Sequence, residues 1–133
     1  GGTKLKGTEI AGEMVPRLID EIPVLAVAAL FAEGDTVIRG AAELRVKESD
    51  RLKTISLELR KMGAGIKELP DGLIIEGNAK LSGARCESHG DHRIAMALAT
   101  AALFAESESV INGSEAVEIS FPGFFELMNS LVS

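Results

Sequence analysis

An internal repeat constrains this chain more than any other feature. Ala28-Ala29-Leu30-Phe31-Ala32-Glu33 returns as Ala101-Ala102-Leu103-Phe104-Ala105-Glu106, 73 residues further on. At the same spacing Val37-Ile38 matches Val110-Ile111, and Gly40 matches Gly113. A repeat of this kind implies one supersecondary unit used twice, each copy burying its apolar face against its neighbour. In the first copy Pro23 opens a very apolar helix over Ile22–Glu33, because a first-turn proline lacks only an amide that would be unpaired anyway. Gly34-Asp35 then turns the chain into a strand, Thr36–Arg39. A second helix spans about Ser49 to Met62, with Leu52, Ile55, Leu59 and Met62 on one face, and Gly63 or Gly65 ends it. Ile66–Leu69 and Leu73–Glu76, joined by Pro70-Asp71-Gly72, read as a hairpin.

The second copy predicts a strand over Leu81–Cys86, a helix over Asp91–Ala105 and a strand over Ser109–Asn112. A last helix, Phe121–Val132, follows with no closing hairpin. Lys4–Ile10 alternates like the final strand of a unit that precedes these two. The expected organisation is one partial domain over 1–133, cut from something longer. Residues about 1–12 end the preceding unit, about 13–77 form the first copy, and about 78–133 form an incomplete second.

Composition narrows the function classes. At 133 residues and 46% hydrophobic content the chain can bury a core and is not a disordered tail. A net charge of −6, with five Phe and neither Trp nor Tyr, argues against nucleic acid, which needs a basic face and stacking rings. The apolar runs Val24–Ala32 and Ile94–Ala105 fall short of the roughly 18 residues that span a bilayer, so no membrane partner is expected. No basic-then-apolar leader is visible, and the lone Cys86 suits a reducing compartment as a small buried hydrophobe. These features predict a soluble cytoplasmic α/β protein.

Three polar clusters remain. Arg45-Val46-Lys47-Glu48-Ser49-Asp50-Arg51 sits at a predicted strand-to-helix junction, where strand alternation would send Arg45 and Lys47 to the same side. It is either an anion site at a helix start or a solvated start capped by Ser49. Ser88-His89-Gly90-Asp91-His92-Arg93 also precedes a helix. An anion site through Arg93 and an Asp91 cap are both open, whereas a metal site on His89, Asp91 and His92 lacks the i,i+4 histidine spacing of strong zinc motifs. Finally, Asp20 of Leu18-Ile19-Asp20-Glu21-Ile22-Pro23 is the repeat counterpart of Arg93, either a helix cap or a base.

Those three strings, together with Gly90–Met96 and Ser120-Phe121-Pro122-Gly123-Phe124-Phe125-Glu126, resemble the 5-enolpyruvylshikimate-3-phosphate (EPSP) synthase family over nearly the whole chain. The Arg45–Arg51 string separates that family from the related transferase acting on UDP-N-acetylglucosamine. The resemblance implies an α/β (α+β) fold of repeated βαβαββ units in an inside-out barrel, here two of the three units of the C-terminal domain. It implies transfer of the enolpyruvyl group of phosphoenolpyruvate to the 5-hydroxyl of shikimate 3-phosphate, with release of phosphate and no metal or organic cofactor. Asp20 would accept the proton near the substrate hydroxyls, and Glu48 would shuttle a proton to and from the methylene carbon. Lys47 would contact shikimate 3-phosphate, and Arg51 and Arg93 would clamp the phosphoenolpyruvate carboxylate, with His92 supporting them.

The family is expected to be monomeric at full length. Its N-terminal domain, missing here, would supply the rest of the site, so this chain alone is expected to be inactive. One family branch has a lysine before the Ser/Thr-Phe-Pro triplet; here Ile119 stands there, as in the other branch, which tends to have Asn where this chain has Glu43. A non-catalytic anion-binding module, a folding unit without function of its own and a related UDP-N-acetylglucosamine enolpyruvyl transferase are the rival readings.

Overall fold

A computed structural model describes residues 8–113. The predicted helix Phe121–Val132, Ile119 and the first residues of the Lys4–Ile10 strand lie outside that range. The chain runs through β1 (Glu9–Ile10), α1 (Met14–Leu18), a 3-10 turn (Ile19–Glu21), α2 (Ile22–Leu30) and β2 (Thr36–Ile38). A second 3-10 turn (Ala42–Val46) leads to α3 (Arg51–Lys61), β3 (Ile66–Leu69) and β4 (Gly72–Ile75). Finally come β5 (Arg85–Glu87), α4 (His92–Leu103) and β6 (Val110–Asn112).

The repeat is visible as geometry. Helix α2 is buried at every position but the half-buried Leu25, as expected of a helix with no polar face. It ends at Phe31, whose amide donates to the Ala28 carbonyl while the Ala32 amide donates to Ala29. Helix α4 ends in the same way, with the Phe104 amide on the Ala101 carbonyl and the Ala105 amide on Ala102. The two helices pack together, and the rings of Phe31 and Phe104 meet at 5.3 Å with a 50° tilt, a favourable aromatic arrangement. Repeat counterparts thus touch each other. The strands agree: β1 pairs parallel to β2 with Glu9 opposite Val37, and β5 pairs parallel to β6 with Arg85 opposite Val110.

In the first sheet β2 continues antiparallel to β4 and β4 to β3, giving the order β1-β2-β4-β3. Gly72 opens β4 because a Cβ there would run into the backbone carbonyl of Ile38. The predicted stripe Leu52, Ile55, Leu59 and Met62 is buried in one core with Ile38, Leu73 and Ile75 of the sheet and Ile94 and Leu98 of α4, and α3 packs on β3, β4 and α4. Helices therefore fill the middle and the sheets lie outside them.

Three local expectations are corrected. Ala42–Val46 is a 3-10 turn and not a strand, so the strand-based placement of Arg45 and Lys47 fails. Helix α3 is capped by Asp50, which accepts from the Lys53 amide at 3.2 Å, because the Ser49 hydroxyl is drawn away to Asp91. Most of Leu81–Cys86 pairs with turns: Ser82 donates to the Met62 carbonyl and Gly83 to the Ser107 hydroxyl, leaving a strand only at Arg85–Glu87.

Candidate active site

Arg51 opens α3, yet its side chain is only 2% exposed. A buried guanidinium needs partners for its fixed fork of N–H groups. Asp91 takes two of them, from Nε at 2.9 Å and Nη2 at 3.1 Å. Asp20 accepts from Nη1 at 3.3 Å, and Glu48 accepts from Nη2. Residues from three separate segments meet on one cation.

Asp91 does more than pair. Its carboxylate, fully buried, also accepts from the Ser49 hydroxyl at 2.8 Å and caps α4 through the Arg93 amide at 3.0 Å. Gly90, at φ +71°, makes the turn that delivers it, a conformation glycine adopts without steric cost. Burial pushes the Asp91 carboxyl upward, but the Arg51 and Ser49 bonds outweigh it and hold the group below the usual range. Burial likewise opposes the charge on Arg51, and Asp91 outweighs it, so the guanidinium stays charged.

The partners of Arg51 divide by exposure. The side chains of Asp20 and Glu48 are 47% and 56% exposed, whereas Asp91 is sealed. The first two can be exchanged for another anion; the third is fixed. Arg93 stands in the first turn of α4, with Nη1 3.7 Å from Glu21, the neighbour of Asp20. His92 is exposed beside Glu48 and Asp91, the three offering ligand atoms within 4.8 Å of one another. Asp91 is already committed to Arg51, Ser49 and the Arg93 amide. Lys47 has a different partner, Glu43, at 3.4 Å. The structure thus brings Asp20, Glu48 and Arg51 into contact, sets His92 and Arg93 beside them, and pairs Lys47 along its own turn.

Sequence reasoning placed Asp91 only as a cap or a weak metal ligand, and Ser49 only as a cap. Asp91 reaches Arg51 across 40 residues and Ser49 across 42, and no local signal announces such pairings. His89, grouped by sequence with Asp91 and His92, turns instead to Glu58 on α3, with Nε2 and Oε2 2.9 Å apart.

The class comes from the fold. The chain superposes on the enolpyruvyl transferase NikO from Streptomyces tendae with a TM-score of 0.69 and 21% identity, covering 98% of this chain and 29% of that one. This is the α/β architecture of the enolpyruvyl transferases. The family model for EPSP synthase (3-phosphoshikimate 1-carboxyvinyltransferase) matches residues 2–128, and the chain belongs to that family. It is similar to EPSP synthase from Acinetobacter baumannii, with a TM-score of 0.83 and 46% identity over 97% of this chain and 31% of that one. It is 58% identical over 125 residues to the 3-phosphoshikimate 1-carboxyvinyltransferase of Pelotomaculum thermopropionicum, covering 94% of this chain and 29% of the relative. The Desulforudis audaxviator enzyme is 59% identical over 127 residues, covering 96% and 30%. The chain therefore spans less than a third of the length of these relatives. Among the described residues no helix is long and apolar enough to cross a membrane.

Proposed function

We propose that this chain is part of an enzyme that transfers the enolpyruvyl group of phosphoenolpyruvate to the 5-hydroxyl of shikimate 3-phosphate and releases phosphate. The observation that carries the reading is the Arg51 centre, where one sealed and two exposed carboxylates share a guanidinium in a member of this family. A ligand carboxylate entering the site displaces Asp20 and Glu48 from Arg51, while Asp91 keeps the fork in place. Bidentate pairing of carboxylate with guanidinium suits Arg51 and Arg93 to this task.

Freed from Arg51, the two carboxylates become available for proton transfer. Asp20 takes the proton of the 5-hydroxyl as its oxygen bonds to the central carbon of phosphoenolpyruvate. Glu48, which takes up a proton from solvent when it leaves Arg51, supplies it to the methylene carbon, making it a methyl group. In the elimination Glu48 takes a methyl proton back, the carbon–oxygen bond to phosphate breaks, and phosphate leaves with that electron pair. Lys47 contacts shikimate 3-phosphate once it leaves Glu43, and His92 supports the bound carboxylate. No step needs a metal or an organic cofactor.

Residues about 13–77 and 78–133 are assigned as two repeat units of a C-terminal domain, with about 1–12 ending a preceding unit. The remainder of the protein, including an N-terminal domain, completes the cleft, and the full-length enzyme acts as a cytoplasmic monomer. The test is phosphate release from the two substrates. This chain alone should be silent and should gain turnover when mixed with the complementary portion, because proximity and orientation supply about 7–11 kcal/mol only where every group is held. Turnover by this chain alone, or a fully active Asp20→Ala mixture, overturns the reading.

A further inference from the structure

We propose that Arg45 is a positioning residue: it staples both ends of the short loop carrying Lys47 and Glu48, and so sets where the Glu48 carboxylate stands. The inference rests on the role given to Glu48 above. Arg45 lies near the end of the 3-10 turn, and its guanidinium faces away from the Arg51 centre, into the β3–β4 hairpin. Nε donates to the Pro70 carbonyl at 2.8 Å and Nη2 to the Leu69 carbonyl at 2.7 Å. Nη1 donates to Glu68 and to Asp50, both at 2.8 Å. Hydrogen bonds to Glu68 and Asp50 raise the Arg45 pKa further, so the staple is charged at any working pH.

Asp50 is the other end of the loop. One of its oxygens caps α3 through the Lys53 amide, and the other holds Arg45. A single guanidinium thus joins the turn before Lys47, the cap after Ser49 and the hairpin behind them. Between these anchors the loop is held through side chains, Lys47 to Glu43, Glu48 to Arg51 and Ser49 to Asp91, and not through its backbone. Val46 is 81% exposed, and among the described residues no backbone hydrogen bond of a turn, loop or cap involves Glu48 or Ser49. A proton shuttle must stand within hydrogen-bond reach of its carbon, and a displacement of about 1 Å costs roughly 100-fold. Lysine cannot replace the staple, because a point charge lacks the planar fork that reaches two carbonyls and two carboxylates together.

The experiment measures kcat and KM for phosphoenolpyruvate in a full-length enzyme carrying this segment, for Arg45→Lys, Glu48→Gln and the double variant. We expect Arg45→Lys to lower kcat by about 30- to 100-fold with KM changed less than about threefold. In the Glu48→Gln background the same change should cost less than about threefold more, since misplacing a group already removed has little effect. Equal losses in both backgrounds, or a loss below about twofold in the wild-type background, overturn the proposal. If Arg45→Lys does not fold, Glu68→Gln removes one leg of the staple and leaves the cap. The same non-additivity supports the proposal there, and equal losses overturn it. A fully active Glu48→Gln enzyme overturns the role of Glu48 and this proposal with it. A slow Glu48→Gln enzyme beside an unchanged Arg45→Lys enzyme overturns the positioning role alone.

Discussion

The described chain contains two buried ionic centres joining the copies of the repeat, and they are built in opposite senses. Around Arg51 one donor is shared by three carboxylates, two of them half in solvent. Around Glu58 one carboxylate, 1% exposed, is shared by three donors: the Lys61 ammonium at 2.8 Å, the Glu87 amide at 2.9 Å and the His89 ring at 2.9 Å. The Glu58 carboxylate is itself sealed, although its Lys61 and His89 partners are 39% exposed, and it fastens α3 to β5 through the Glu87 amide. The Arg51 centre sets three carboxylates against one cation, and the two that are not sealed face outward. One buried charge is balanced by its donors, whereas the other keeps the exposed carboxylates that the proposed chemistry requires.

The largest test of this contrast is turnover. In a full-length enzyme Glu48→Gln should lower kcat about 10²- to 10⁴-fold, the usual loss for a general acid–base group. The same change should leave stability within about 0.5 kcal/mol, because Glu48 is exposed. A large loss of stability with normal turnover would reverse the roles assigned to the two centres.

Asp91→Ala should be the most destabilising substitution at the Arg51 centre. It strands a buried guanidinium and removes the α4 cap, costing about 3–5 kcal/mol in a urea titration. Asp20→Ala and Glu48→Ala should be much milder in the same titration, as the difference in exposure requires. Glu58→Gln should cost about 1–3 kcal/mol by leaving its donors poorly matched, yet leave turnover per folded molecule unchanged.

On acid titration the two centres should behave alike. Glu58, like Asp91, is opposed by burial but held low by its partners, His89 and Lys61 first. A carboxylate with a lowered folded-state pKa stabilises the fold fully above its ordinary value near about 4 and loses that contribution as pH falls through the lowered value. Unfolding free energy should therefore drop on the acid side, and Glu58→Gln and Asp91→Asn should each flatten that drop. The smallest expected effect is at Cys86. Burial pushes its thiol upward, so alkylation near neutral pH should wait on unfolding, at the same slow rate in wild type and Glu48→Gln.

What could be read from the sequence was set by interactions between near neighbours. The apolar run behind Pro23, the 52/55/59/62 stripe, the Pro70-Asp71 turn and the 73-residue repeat all act within one element or by copying one. Each stands in the structure close to where it was expected. The charged string Arg45–Arg51 marked the site, but its composition could not say which member is sealed and which is exposed. Only the tertiary structure decided that Arg51 turns inward to Asp91, that Arg45 turns back to the hairpin, and that Ser49 gives up the cap to Asp50. The physical reason is reach. Propensity and capping operate over about four residues, whereas a long cationic side chain takes its partner from whatever the topology places beside it. Here that partner stands 40 residues away in the other copy of the repeat.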